Sequence, residues 1–249
     1  MASTPAAIRL LASVLLAGGP LPGMLLQSAA LQSPPAPPAS AGEAPAGAPP
    51  RVRVESSSLG QELIVDGTFA SLYVPDRVAT HSVWDALAAP VLALPPERRK
   101  RILVLGLGGG SAARILRALA PDALIVGVDI DREVLEAAKA HFGLGELGLE
   151  VVAADALEVL KRERRLFDLI IDDVFICSNG GGDPHKPDWL PHPAHDLALR
   201  RLRPGGLLVS NTINEGRRVA KALRELCDGL LRIEVQGYWN RIFVAGPAE

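Results

Sequence analysis

The sequence predicts an α/β fold in which a doubly wound, mostly parallel sheet follows a small β-hairpin region, and three observations predict it. From Arg101 onward, short apolar runs alternate with stretches of helical period, the pattern of successive strand–helix–strand crossovers. The run Ile102-Leu103-Val104-Leu105 contains no polar alternation, as a strand covered on both faces requires. Glycine-rich Gly106 to Ser111 stands between that strand and the next helical stretch. In open sheets of this kind a ligand binds at the carboxyl ends of the strands.

Element by element, residues 1–50 stand apart. Arg9 and Glu43 are their only charges, apolar stretches 10–17 and 21–26 are interrupted by Gly18, Gly19 and Pro20, and residues 33–50 are rich in Pro and Ala. Neither stretch reaches the roughly 18 apolar residues of a membrane span. The segment reads as a secretory signal peptide with a disordered linker, or as the product of a start assigned upstream of true initiation at Met24 or beyond. Residues 51–95 form the hairpin region: β-prone runs 52–54, 62–65 and 69–73, with Asp66-Gly67 as the turn. A helix over 80–94 follows, with Val83, Trp84, Leu87, Val91 and Leu92 as its apolar stripe and Pro95-Pro96 as its end.

Residues 96–249 carry the main domain. Strands are predicted at 102–105, 124–128, 149–152, 167–171 and 207–210, and helices at 112–120, 131–141, 157–164, 193–202 and 214–227. Asp131 is placed to cap its helix. Runs 231–235 and 241–244 close the chain as an antiparallel pair. Hydrophobic content of 48% and charged content of 22% are ordinary for a globular protein. A net charge of −2 gives no electrostatic footprint for nucleic acid or an anionic membrane surface. Cys177 and Cys227 match no zinc or redox spacing, and no metal site is predicted.

The candidate ligand site is read from the strand ends. Gly106, Gly108 and Gly110 let a ligand approach the backbone closely, and the following helix start offers unpaired N–H groups. Asp129, about twenty residues beyond, can accept two hydrogen bonds from a ribose diol. These two features fit NAD and S-adenosylmethionine alike. Asp155-Ala156 after the third strand can reach an adenine amino group, and the run Asp168 to Asp173 puts carboxylates at the fourth strand. Adjacent acids at a strand end point to opposite faces, so only one of Asp172 and Asp173 can face a cleft. Segment 172–192, with Asn179, three glycines, His185, Lys186, Trp189 and His192, is long enough to gate a substrate. Trp189 either packs that segment down or stacks on a substrate, and His81 is either a cleft residue or a helix-surface histidine.

Glycine loop, Asp129, Asp155, the fourth-strand acid and the Pro204-Gly205-Gly206 turn resemble, in order and spacing, a class I methyltransferase of Rossmann-like, seven-stranded architecture. Over residues 60–245 the chain more closely resembles the spermidine-synthase-like family of polyamine aminopropyltransferases. Leu63 to Gly67, the helix with His81, the loop, Val128-Asp129-Ile130-Asp131, the run 167–173 and Tyr238-Trp239-Asn240-Arg241 carry that resemblance. It implies S-adenosylmethionine or its decarboxylated form as donor, Asp173 as the catalytic carboxylate, and His81, Asp172 and Trp189 as substrate-side residues. The departures are equally specific. Gly109 replaces the loop aspartate that holds the donor amine, Ile176 replaces the second acid of Asp-x-x-Asp-Pro, and Ser82 stands where a glutamate follows the histidine. Ala70 and Ser71 stand where a glutamine is expected after the hairpin.

These losses favour methyl over aminopropyl transfer, with a non-catalytic ligand-binding homologue and an NAD-dependent oxidoreductase as the remaining alternatives. The expected partner is a small-molecule acceptor of the amine class, without nucleic acid, and relatives of the fold often pair as homodimers. A donor made and kept in the cytosol favours a cytoplasmic protein, against periplasmic or secreted placement by the signal-like segment.

Overall fold

The computed structural model describes residues 50–177 and 183–246. The signal-like segment therefore lies outside the described residues, apart from Pro50 at its end.

Strands β1 (Val52–Ser56), β2 (Gln61–Val65) and β3 (Thr68–Tyr73) form a three-stranded antiparallel sheet. Asp66 and Gly67 both adopt positive φ, 48° and 79°, as the tight turn between β2 and β3 demands. The three β-prone runs expected in this region are these three strands, with β1 paired to β2 beside the hairpin. Its apolar residue Leu63 packs with Val134 and Phe142 of the main domain. A second attachment is polar: the Ser111 hydroxyl accepts the Leu72 N–H and donates to the Leu72 carbonyl, both at 2.9 Å. The pair is buried, so neither backbone group can turn to water instead.

The helix predicted over 80–94 is shorter than expected. Only α1 (Val83–Ala88) is α-helical, and residues Ala89–Ala93 continue as a 3-10 turn. Pro90 has no N–H to give to the α-helical ladder, and Leu92, counted in the apolar stripe, is 45% exposed. At the other end the Asp85 carboxylate accepts the N–H groups of Thr80 and His81 and the Thr80 hydroxyl. That turn starts the helix at Val83 and leaves His81 at φ 56° outside it.

The main sheet holds five parallel strands, β4 (Arg101–Leu105), β5 (Leu124–Asp129), β6 (Glu150–Ala153), β7 (Phe167–Asp172) and β8 (Leu202–Thr212). Strands β9 (Gly229–Glu234) and β10 (Arg241–Gly246) complete it, in the order β6-β5-β4-β7-β8-β10-β9. Strand β10 runs antiparallel to both β8 and β9. The crossovers are α2 (Ser111–Leu119), α3 (Arg132–His141), α4 (Ala156–Arg162), α5 (Ala194–Arg200) and α6 (Gly216–Leu226).

Alternate side chains enter different cores. Ile102, Val104, Ile125 and Ile171 pack on one face with Trp84 and Leu116, while Leu103, Val126, Val128 and Ile170 pack on the other with Leu160 and Leu223. This two-sided burial is why the strands read as unbroken apolar runs. The strand order reverses at β4, which places the switch point, where such sheets bind ligands, at the glycine-rich turn.

Ser111→Ala is expected to cost about 1–3 kcal/mol, because it strips a buried N–H and a buried C=O of their shared partner. Urea unfolding of the two proteins, compared at equal m-value, measures it; an unchanged midpoint would mean that water replaces the hydroxyl.

Candidate active site

A cavity of 430 Å³ opens at the carboxyl ends of β4 to β7. Gly106, Gly108, Asp129, Asp155, Ala156 and Asp173 line it together with Trp189. Residues from five separate stretches thus meet at one rim, as the parallel topology requires. The hairpin sheet forms the opposite wall through Arg51, Asp66 and Phe69.

The glycine loop is held from both sides. Gly106 sits at φ 79°, and a Cβ there would lie 2.4 Å from the Asp173 carbonyl oxygen, so the chain leaving β7 can cross the loop only over a glycine. The Asp129 carboxylate accepts the Gly108 N–H at 2.8 Å and, through its other oxygen, the Asp131 N–H at 3.0 Å. The Ser71 hydroxyl accepts the Gly109 N–H at 2.7 Å and donates to the Ala70 carbonyl. Gly106 and Leu107 donate to the Val128 carbonyl, and Gly110 to that of Leu107. The loop makes room by lacking side chains, and the N–H groups of Gly106 to Gly110 are already used. Each Asp129 oxygen retains lone-pair capacity for a further donor. Burial pushes the Asp129 carboxyl above its ordinary range, against the opposing pull of the backbone N–H groups.

The adjacent acids at the end of β7 separate as the strand geometry requires. Asp173 lines the cavity and its carboxylate accepts the Asn211 side-chain amide at 2.7 Å. Asn240 in turn donates to the Asn211 oxygen at 3.0 Å. Burial, with the nearby charges of Asp172 and Asp129, pushes Asp173 up to about 7, more than the Asn211 bond and the Lys186 charge bring it down. Asp172 points the other way. It is 1% exposed and bound by Lys186 Nζ at 2.8 Å, His195 Nε2 at 2.9 Å and the Ser210 hydroxyl at 2.7 Å. Its burial alone would raise its carboxyl, but Lys186 and His195 reverse that and hold it well below the usual range.

The described parts of segment 172–192 carry backbone pairing that its composition does not suggest. Ile176 and His185 form an antiparallel bridge, with N–H to C=O distances of 2.9 and 3.0 Å. Residues 178–182, including Asn179 and the three glycines, lie outside the described residues. Trp189 packs on the core beneath the segment, as one of the two expectations had it, and it also lines the cavity.

Three predicted site residues are corrected. Asp172 does not line the cavity, because the alternation of the strand turns it into a buried ion cluster. His81 does not line it either; its side chain is exposed before α1, and Ser82 and Trp84 take the wall instead. Gly110 starts α2 under Leu144, whose Cδ1 would lie 2.7 Å from an added Cβ, and stands off the cavity. Asp155 lines the cavity but also caps α4, accepting the Glu158 N–H at 2.9 Å through one oxygen.

Sequence reading missed Asn211, and it named Ser71 and Ser82 only as departures from the family pattern; the buried Ser82 hydroxyl borders the cavity without a partner among the described residues. Nothing in its local sequence marks Asn211; Asn240 had a signal in the Asn-Arg pair, and Ser71 and Ser82 had one in their positions after the hairpin and after His81. Among the described residues, no cluster of three His, Cys, Asp or Glu side chains suited to a metal occurs. No helix among them is long and apolar enough to cross a membrane.

Residues 96–243 match the family described as methyltransferase domain. The chain belongs to that family. Its relatives place it in the spermidine-synthase-like group of class I S-adenosylmethionine-binding proteins. The polyamine aminopropyltransferase 2 of Hyperthermus butylicus is 31% identical over 168 residues, 63% of this chain and 50% of that protein. Human methyltransferase-like protein 13, solved in complex with SAH, is 25% identical, with a TM-score of 0.56 over 66% of this chain and 82% of its own. A probable spermidine synthase from Corynebacterium glutamicum shares the fold at 20% identity, with a TM-score of 0.61 over 78% of this chain and 76% of its own. The chain spans half or less of the length of the curated relatives that it matches first.

Asp173 also predicts a pH-dependent stability. Its folded pKa lies above the unfolded value, so the wild type is stabilised below the unfolded pKa of about 4 and loses that stability as pH rises to about 7. Asp173→Asn removes the titration. Its advantage over wild type should be small at pH 4, grow to pH 7 and level off at roughly 2–4 kcal/mol. Denaturation midpoints of the two proteins across pH 4–8 measure the difference; a constant gap would show that Asp173 ionises freely.

Proposed function

We propose that this protein is an S-adenosylmethionine-dependent transferase that moves a methyl group to an amine acceptor, with Asp173 as the proton-accepting carboxylate. The residues present fit the donor. Gly106 and Gly108 leave the loop without side chains along the cavity, Asp129 keeps acceptor capacity for a ribose diol, and Asp155 retains one oxygen outside its capping bond. The donor when bound supplies an activated methyl group on a positively charged sulfur.

Transfer balances simply. The acceptor nitrogen forms the new bond to carbon, the carbon–sulfur bond breaks, its electron pair stays on sulfur, and the nitrogen's proton leaves to Asp173. A free amine has a pKa near 10 and attacks only when unprotonated. A carboxylate raised to about 7 is a better matched base at neutral pH than an ordinary one. Asn211 holds that carboxylate in place through a neutral donor, without adding a cation that would weaken it as a base. Positioning of acceptor and donor supplies the remainder of the rate.

The observation that carries methyl over aminopropyl transfer is steric. A Cβ at Gly109 would lie 2.7 Å from Ser71 Cβ and 3.1 Å from a Phe142 ring carbon. No aspartate side chain fits there while Ser71 holds the loop, and that aspartate is the expected partner of a donor amine. The apolar Ile176, which lines the cavity at the second acid position, favours the same reading. Aminopropyl transfer from the decarboxylated donor is the second reading, favoured by the 31% identical relative named for that activity.

Calorimetric titration tests the choice. Intact S-adenosylmethionine should bind at least about tenfold, 1.4 kcal/mol, more tightly than the decarboxylated form; the reverse order would favour aminopropyl transfer. Asp173→Asn should lower turnover by about 10²–10⁴-fold while leaving S-adenosylhomocysteine affinity nearly unchanged. The wild-type rate should rise with pH through about 7 and that rise should vanish in the variant. A fully active variant would remove Asp173 from the reaction.

A further inference from the structure

Lys186 is the most unusual side chain outside the cavity. It is 2% exposed. Its ammonium binds the Asp172 carboxylate at 2.8 Å and lies 4.4 Å from the centre of the Phe175 ring. Its backbone N–H donates to the Glu215 carboxylate at 2.9 Å. Phe175 and the neighbours of Lys186 in sequence, Pro184 and Pro187, line the cavity, but Lys186 itself does not. One side chain therefore joins the wall to the end of β7 from beneath, directly behind Asp173.

Burying a lysine and an aspartate is costly, and apolar residues of similar size would generally serve stability as well or better. Ion pairs of this kind fix geometry, because an ammonium displaced from its partner leaves two uncompensated buried charges. An apolar anchor at this position could slide; the Lys186–Asp172 pair has one arrangement, completed by His195 and Ser210 on the remaining carboxylate oxygen.

We propose that Lys186 is a positioning residue, a buried anchor that holds the wall formed by Val174 to Cys177 and Pro184 to Trp189 against Asp173 and thereby shapes the acceptor side of the cavity. The acceptor assignment rests on the transferase reading; the anchoring does not. Loss of the anchor leaves the donor side intact, since Gly106, Gly108, Asp129 and Asp155 are held by their own contacts.

Cys177 reports on the wall. It is a free, half-buried thiol that lines the cavity, whereas Cys227 is buried behind α6 and serves as an internal control. The full chain is treated with the thiol reagent DTNB, as wild type, as Lys186→Met, and as the charge-neutral double variant Lys186→Met/Asp172→Asn. The double variant carries the test if the single one, with its orphaned carboxylate, does not fold. Modification of Cys177 should accelerate at least about tenfold while the rate at Cys227 stays within about twofold, as local opening without global unfolding predicts. Lys186→Arg should restore part of the protection. An unchanged Cys177 rate in the folded double variant, or equal acceleration at both cysteines, overturns the proposal. S-adenosylhomocysteine titration of the same proteins separates the two claims. Absence of binding in the wild type would defeat the transferase reading alone, and a greater than about tenfold loss confined to the variants would place the anchor on the donor side instead.

Discussion

Two backbone N–H groups of one loop are claimed by side chains from opposite walls, Gly108 by Asp129 and Gly109 by Ser71. The geometry of the cavity depends on this clamp. Asp129 ends β5 and Ser71 lies in β3, so the loop is fixed simultaneously to the main sheet and to the amino-terminal sheet. Without Ser71 the hairpin region would still bury Leu63 and keep the Leu72–Ser111 pair, but nothing would tie it to the Gly109 N–H of the loop itself. The same clamp closes the space above Gly109. A single hydroxyl therefore contributes to fold, to docking of the hairpin and to the exclusion of a loop carboxylate.

The end of β7 shows how one strand divides two roles between identical residues. Asp172 and Asp173 differ only in which side of the sheet they meet. On one side Lys186, His195 and Ser210 compensate the charge completely, and the carboxylate stays ionised. On the other, Asp173 receives one neutral amide donor and faces other carboxylates, so its proton is retained to about pH 7. Neither behaviour belongs to aspartate as such. Burial is common to both, and the partners decide its outcome. His195 Nε2 donates a hydrogen bond to the Asp172 carboxylate, and its buried Nδ1 has no partner among the described residues.

Most of this architecture was legible in the sequence because it rests on short-range rules. Unbroken apolar runs gave buried parallel strands, Asp131 gave a helix start with its side chain on the Glu133 and Val134 N–H groups, and Asp66-Gly67 gave a tight turn. The errors arose where a distant contact overrides the local pattern. Helical period over 80–94 could not reveal that Asp85 would turn its carboxylate back on Thr80 and His81. Glycines in the loop announced close approach, but not that Ser71, 38 residues earlier, would take one of their N–H groups. Alternation at a strand end stated that Asp172 and Asp173 must part; the lysine compensating Asp172 lies in a segment with no pattern to read.

Charge ties the cavity to the proposed chemistry. Asp66, Asp129, Asp131, Asp155 and Asp173 line it with Arg51 as the cation among the lining residues. Arg51 is already engaged, its guanidinium 2.6 Å from Asp131 and 2.8 Å from Glu133. The remaining field is negative and acts in a partly enclosed space, where it is screened less than at an open surface. Such a field favours a cationic ligand, and it adds to the burial that pushes Asp173 up to about 7. A cation bound nearby reverses the second effect, since an adjacent positive charge favours the ionised carboxylate. Under the transferase reading, occupancy by a sulfonium donor and conversion of Asp173 to a base are then one electrostatic event. A carboxyl raised to about 7 by burial is shifted toward its ionised form when the cationic group that needs it binds.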